Sequence, residues 1–392
     1  MEAQKIHKYE CPCLPLFHII NATDGMFQAV RIIAKVGPQE LFRLFETKDP
    51  AYFNPKKEFP FGTEPNCTYD SESYLTVFHL STNADRLPFK KRSANVHYAL
   101  LAADIVDTEA GFFDDIPDPS RKAEFKKFVT ALMLRHIDAS DINAQVANEF
   151  EGFENLSFQD IYTRKFSTDD DPEDPPNLFT SLNSVPNATG LYPLFSLVNH
   201  SCNPNAFKLS RTTNGTLAVL SNRTLKKGEP LLIGYSLHFY YDDIYDRQME
   251  LMDDYYFKCR CVACKERWPL QRELLQRPTS FCCSICSKKF YENDKSSRGE
   301  FKKCVLTAPG WKCGSCGKCY DEAELRHRFN VHRNLIKKVN GFLYLNQPTK
   351  ALDLMLKVFD YFQYHLSPPY GHFYGLQDML MLSIESIVHL TR

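Results

Sequence analysis

The sequence predicts an α+β protein: two helical regions on either side of a β-rich middle that carries small zinc-binding modules. Three observations lead there. Apolar residues recur at helical spacing through the first 150 residues and again after residue 321. Past Val185 the pattern changes to short hairpin-like segments. Of the fourteen cysteines, Cys259, Cys261, Cys264, Cys282, Cys283, Cys286, Cys304, Cys313, Cys316 and Cys319 crowd into one stretch.

The elements follow in order. From Met26 to about Glu46, Phe27, Val30, Ile33 and Ala34 mark a helical face, with a break at Gly37-Pro38. Residues 94–106, ANVHYALLAADIV, make a second helix, and Phe125, Phe128, Val129, Leu132, Met133 and His136 a third on the i, i+3, i+4 pattern. The acidic, proline-rich STDDDPEDPPN, 167–177, reads as a solvated linker. Residues 206–212 and 216–225 flank Asn214-Gly215, a strong hairpin signal, and a turn at 226–229 leads into a third strand, 230–235. A helix over 243–255 precedes the cysteines. Helices are predicted again at 322–345, 349–366 and 373–390, either one or two tetratricopeptide-like pairs or a plain helical bundle.

Composition narrows the function classes. The 392 residues are 43% hydrophobic and 24% charged, the range of globular domains, and the net charge is -1. That balance gives no electrostatic footprint for nucleic acid or an anionic membrane. The runs Lys90-Lys91-Arg92 and Lys302-Lys303 read as solvated faces, and the Lys-rich loop 287–303 is all that keeps nucleic-acid binding as a third option. No apolar run approaches the roughly 18 residues of a membrane span. The start, MEAQKIHKYECP, has no signal-peptide core, so the Asn-x-Thr triplets at Asn21, Asn187 and Asn214 read as chance. A long chain with clustered thiols and no secretory signal points to metal in a reducing compartment, cytoplasmic or nuclear.

The stretch SLVNHSCNPNAF, Ser196–Phe207, sets the main question. An apolar run, expected to be a buried strand, ends in an amide, an imidazole, a hydroxyl and the isolated thiol of Cys202. Downstream, KCRCVAC places Cys259, Cys261 and Cys264 in C-x-C-x2-C. Three thiolates so close face one ion, and tetrahedral zinc needs a fourth sulfur at about 2.3 Å. Cys202 is the expected fourth, against the alternative of a small buried hydrophobe. Farther on, Cys283-x2-Cys286 and Cys313-x2-Cys316 form paired knuckles with ribbon-like zinc spacing, with Cys282, Cys304 and Cys319 as thiols able to substitute.

GLYPLFSLVNHSCNPNAF, a Gly-Glu turn, a strand ending in Tyr235 and DDYYFKCRCVAC together resemble the C-terminal half of a SET domain with its post-SET zinc knuckle. The arrangement is similar to the SET-and-MYND family of protein-lysine methyltransferases, and MLRHIDASDINAQ to its fourth, tetratricopeptide-bearing branch. The resemblance implies S-adenosylmethionine as cofactor, structural zinc, and a protein substrate with an exposed lysine, with transcriptional regulation as one setting and further protein partners at the helical C-terminal domain. It places Asn143, Asn199, His200, Tyr235 and Phe257 at the cofactor, Tyr235 and Tyr255 at methyl transfer, and His7 and Cys11 as the last two MYND ligands. It implies a pseudoknot in which the Asn-His-Ser-Cys strand threads beneath the Tyr235 segment, an exception to unthreaded topology. The implied domains are a MYND remnant (1–13), a helical SET insertion (14–165), a linker (166–178), the SET core (179–240), the post-SET knuckle (241–266), a zinc-ribbon-like module (279–320) and the helical domain (321–392). Two departures are expected to matter: the chain starts after the family's Gly-x-Gly strand pair, and Gln145 stands where other branches put a channel aromatic. They open the alternative of a catalytically inactive zinc-bearing scaffold.

Overall fold

The computed structural model describes residues 2–48, 69–70, 72–150, 184–211, 215–235, 239–293, 305–308, 310–345, 347–369, 376–377, 379–380, 383–384 and 387. The expected linker at 167–177, the hairpin tip at Asn214, Cys304 and most of the expected helix 373–390 lie outside them. The chain divides into two compact units. The first comprises Met1–Ala147, Ala188–Leu197 and Asp254–Tyr256; the second comprises Asn148–Asn187, Val198–Asp253 and Phe257–Arg392.

In the first unit, helices Asp24–Val36, Phe89–Ala110 and Pro119–Asn143 enclose the core. Thr23 caps the first of these by accepting from the Met26 N–H, and Asp118 caps the third by accepting from the Ser120 N–H. The expected break after Val36 is real: Gly37 adopts φ 87°, and Pro38 opens the helix Pro38–Thr47. Met26, Val30, Ile33, Val106, Phe125, Val129 and Met133 are all fully buried in this core. One polar network runs through it. Asp138, 1% exposed, pairs with Arg92 and accepts from Asn95 Nδ2 at 2.9 Å, so that its charge is not buried alone. Strands β1 (Ala144–Phe150) and β2 (Ser184–Leu191) form a two-stranded sheet.

The second unit contains the short strands that carry the site. β3 (Asn199–His200) runs parallel to β6 (Leu232–Ile233), with Asn199 opposite Leu232 and His200 opposite Ile233. β4 (Ala206–Arg211) and β5 (Thr216–Ser221) form the expected hairpin, in register from Ala206–Ser221 to Arg211–Thr216, and Gly215 supplies the positive φ (65°) at its turn. β7 (Leu306–Thr307) and β8 (Lys312–Cys313) pair antiparallel beside the helix Ser284–Asn293. Helices Glu322–Tyr344 and Pro348–His365 pack against each other. Two clamps fasten the second of them. Gln363 donates to the Thr224 carbonyl and accepts its N–H, and the Cys282 N–H reaches the His365 carbonyl at 2.8 Å.

Two expectations change. The strand expected over 230–235 is reduced to Leu232–Ile233, because Asn205 takes over the neighbouring backbone groups. Its Oδ1 accepts the Leu232 N–H at 2.8 Å and its Nδ2 donates to the Pro230 carbonyl at 2.9 Å. The apolar run before Asn199 is not a buried strand. Phe195–Leu197 is a 3₁₀ turn after Pro193, with Phe195 buried but Leu194 and Leu197 exposed, and the strand is only Asn199–His200. Proline lacks the N–H a ladder needs, which ends extended pairing there.

Candidate functional site

Cys202 lies two residues past the end of β3 and is fully buried, its carbonyl accepting the Phe239 N–H at 3.3 Å. Cys259, Cys261 and Cys264 lie where the chain leaves the helix Ile244–Tyr255 and enters the short helix Val262–Lys265. Their sulfurs and that of Cys202 all fall within 4.8 Å of one another. Cys202 Sγ is 3.9 Å from Cys259 Sγ and 3.5 Å from Cys264 Sγ. A tetrahedral zinc with bonds of about 2.3 Å needs sulfurs about 3.8 Å apart, while a disulfide needs about 2.05 Å, so the spacing fits the metal. Cys261 and Cys264 are drawn toward the thiolate, each chiefly by the Cys202 sulfur. A bound divalent cation would draw all four.

The second cluster assembles in the same way. Cys283 to Cys316 is 3.6 Å, Cys286 to Cys313 is 3.8 Å, and all four sulfurs lie within 4.8 Å. Gly317 at φ 73° closes the turn after Cys316. Of the spare thiols, Cys282 is buried with its sulfur toward the Leu366 carbonyl at 3.2 Å, and Cys319 is exposed 3.8 Å from the Gly317 carbonyl; neither joins the cluster. His7 Nδ1 and Cys11 Sγ approach to 3.0 Å on an exposed helix end. Among the described residues they belong to no group of three or more potential ligands.

Beside the first cluster sits an aromatic group. His200 and Tyr235 have ring centroids 5.2 Å apart, His200 and Phe257 5.8 Å, and Tyr235 and Phe257 6.3 Å. The Tyr235 N–H donates to His200 Nδ1 at 3.1 Å, so that nitrogen is bare. The proton of the neutral ring is then on Nε2, which faces Cys202 Sγ at 3.4 Å. Burial pushes the imidazolium down to about 4, with Arg247 adding to the fall and Cys261 opposing it. The Tyr235 hydroxyl donates to the Val198 carbonyl at 2.8 Å, and burial raises its pKa, so the phenol stays protonated. Asn199 is exposed at the start of β3.

The other two expected site residues belong to the first unit. Asn143 is 7% exposed, and its amide nitrogen donates to the carbonyls of Ser81 and Ala139, both at 2.8 Å. Tyr255 is half-buried. Its carbonyl accepts from Asn83 Nδ2 at 3.2 Å, and that of Tyr256, at φ 61°, from Arg86 Nη1 at 2.9 Å. These bonds satisfy carbonyls orphaned at a helix end. Gln145 is half-buried in β1.

Comparison with known proteins adds the family. Residues 119–236 match the SET domain model. A 119-residue stretch, 30% of the chain, is 34% identical to Protein-lysine N-methyltransferase SMYD4 of Mus musculus. The chain carries a SET domain. A SET and MYND domain-containing protein of Dictyostelium discoideum is 36% identical over 77 residues, 20% of the chain and 6% of that protein. Histone-lysine N-methyltransferase ATXR2 of Arabidopsis thaliana is 35% identical over 80 residues, 20% of the chain and 16% of that protein. The match to the mouse relative spans 14% of its length. The SET domain so identified contains β3, β6, Cys202 and Tyr235.

Sequence reasoning passed over Arg247 and Gln248, which face the first cluster from the helix Ile244–Tyr255. A signal was present. Arg247 stands in phase with Leu251 on the buried stripe of that helix, where a charge calls for a partner.

Proposed function

We propose that this chain transfers a methyl group from S-adenosylmethionine to a lysine side chain of a protein, with both four-cysteine clusters serving as structural zinc sites. The observation that carries the reading is the ring contact of His200, on β3, and Tyr235, two residues past β6, both inside the matched SET domain, with Phe257 beside the first cysteine cluster. The parallel β3–β6 pairing also supports the threaded arrangement expected of that domain.

When bound, S-adenosylmethionine supplies an electrophilic methyl on a sulfonium. The chain's residues fit such a group in two respects. The aromatic faces of Tyr235 and Phe257 suit a cation, and the exposed Asn199 amide and the edge of β3 offer polar groups to an amino acid headgroup. In this reading Asn199, His200 and Phe257 hold the cofactor, and Tyr235 stands at the transfer point. The protonated Tyr235 hydroxyl, anchored on Val198, orients the methyl without itself changing charge. The substrate amine must arrive neutral although lysine is ordinarily protonated up to about pH 10.4, and an aromatic channel that excludes water favours loss of that proton. Alignment of amine and methyl then supplies up to roughly 7–11 kcal/mol of the barrier. Zinc at Cys202, Cys259, Cys261 and Cys264 fixes the segment bearing Phe257 to the strand bearing His200. The helical tail is read as a surface for protein partners, and the compartment as cytoplasm or nucleus.

Calorimetric titration of the 392-residue chain with S-adenosylmethionine tests this, followed by mass spectrometry of protein substrates for a lysine mass gain of one methyl. Binding followed by methylation is expected. Absence of binding heat would favour a zinc-bearing scaffold instead.

A further inference from the structure

Two polar side chains face the first cysteine cluster. Arg247 is 1% exposed and is the largest fully buried side chain among the described residues. Its Nη2 lies 3.8 Å from Cys264 Sγ, its Nη1 donates to the Asp242 carbonyl, and its Nε has no hydrogen-bond partner among the described residues. Gln248, the next residue, accepts the Cys259 N–H on Oε1 at 2.9 Å. That bond fixes which way the amide points. Its Nε2 therefore faces the Cys259 carbonyl at 3.0 Å and Cys264 Sγ at 3.3 Å, and an amide nitrogen can only donate.

Each feature is costly without the other. Four thiolates around one divalent cation leave two uncompensated negative charges, and the sulfurs of Cys202, Cys259 and Cys264 are buried. A buried guanidinium without an anion is equally unfavourable. We propose that Arg247 and Gln248 are positioning residues of this metal centre, and that they set how tightly it keeps its zinc. The guanidinium offsets thiolate charge, while the Gln248 amide donates to the Cys264 sulfur and holds Cys259 in ligating geometry. The proposal rests on the zinc reading given above.

Zinc release from the full chain to a chromogenic chelator tests it, with the Cys283 cluster as internal reference. Gln248→Glu keeps the shape and the acceptor for the Cys259 N–H but turns a carboxylate oxygen toward Cys264. It should release zinc from one of the two sites about 10–100-fold faster and leave the other unchanged. Arg247→Met should act in the same direction, and Arg247→Lys, which keeps the charge, should restore most of the retention. With cobalt in place of zinc, Gln248→Glu should shift the sulfur-to-metal charge-transfer band of that one site, which a loss of packing alone would not do. If Arg247→Met does not fold, Gln248→Glu decides the matter. A parent chain that binds zinc but releases it at the rate of Gln248→Glu overturns the proposal alone. A parent that binds none at Cys202, Cys259, Cys261 and Cys264 overturns the zinc reading and the proposal with it.

Discussion

Cys202 and Tyr235 are joined through the two nitrogens of one imidazole. The Tyr235 N–H donates to His200 Nδ1 at 3.1 Å, and the opposite nitrogen, Nε2, lies 3.4 Å from Cys202 Sγ. Because the first bond leaves Nδ1 without a proton, the second is an N–H donated to sulfur. The residue proposed to orient the methyl is thereby tied, through His200, to a residue proposed to hold zinc. Long-range proton–nitrogen NMR of the imidazole should show the Nε2–H form alone, and the Nδ1–H form would break this link.

The two cysteine clusters should lose metal independently. Cys261→Ser is expected to remove one zinc per chain, and Cys313→Ser the other, since one thiolate is a quarter of each ligand set. Elemental analysis of the purified variants reads this directly. Unchanged zinc content in either variant would take that cysteine out of its site.

Tyr235→Phe deletes the bond to the Val198 carbonyl and keeps the ring contacts with His200 and Phe257. The stability cost should be about 0.5–1.5 kcal/mol, as for one intramolecular hydrogen bond, measured by denaturant unfolding. Cofactor binding should survive and methyl transfer should be lost. Full turnover by this variant would remove the hydroxyl from the mechanism.

The first unit carries its own pH signature in His136. This residue is fully buried, with Nε2 2.7 Å from the Tyr74 hydroxyl and Nδ1 without a hydrogen-bond partner among the described residues. Burial, with Arg135 adding to it, pushes its pKa from 6.5 to about 3. The unfolded chain therefore takes up a proton that the folded chain refuses. The stability tied to His136 is complete above pH 6.5 and falls as pH drops toward 3, with a limiting slope of about 1.4 kcal/mol per pH unit. Unfolding measured at pH 7, 6 and 5 should show this fall in the parent and a flatter curve in His136→Gln. Parallel curves would mean that the imidazole is not held neutral.

Asn205 is the hinge of the short β6 segment. Its side chain serves Leu232 and Pro230, and its own N–H donates to the Leu232 carbonyl. Asn205→Ala leaves the Leu232 N–H without its acceptor and should cost about 1–3 kcal/mol. Amide exchange at Leu232 should speed up, whereas exchange across β4–β5, whose ladder does not use this side chain, should not.

Much of this was legible in the chain because some physics is local. Apolar residues at helical spacing predict helices within a few residues of Asp24–Val36 and Glu322–Tyr344 and the middle of Pro119–Asn143, since the period itself fixes the buried face. C-x-C-x2-C and the paired C-x2-C knuckles announce the two sulfur clusters, because thiols so spaced come within reach of one ion with little backbone rearrangement. The apolar run before Asn199 misled, because hydrophobicity does not distinguish a strand from a 3₁₀ turn after proline.

The amino-acid order by itself determined the helices, the hairpin, the SET-like motif and the thiols able to bind metal, all set by residue type and short spacing. Only the tertiary structure decided that Cys282 and Cys319 stand apart from the cluster that Cys283 joins, which imidazole nitrogen carries the proton, and that a buried arginine faces the Cys264 sulfur. Those outcomes depend on partners up to dozens of residues away. Hydrogen bonding and charge compensation act through distances in space, and sequence spacing does not encode them.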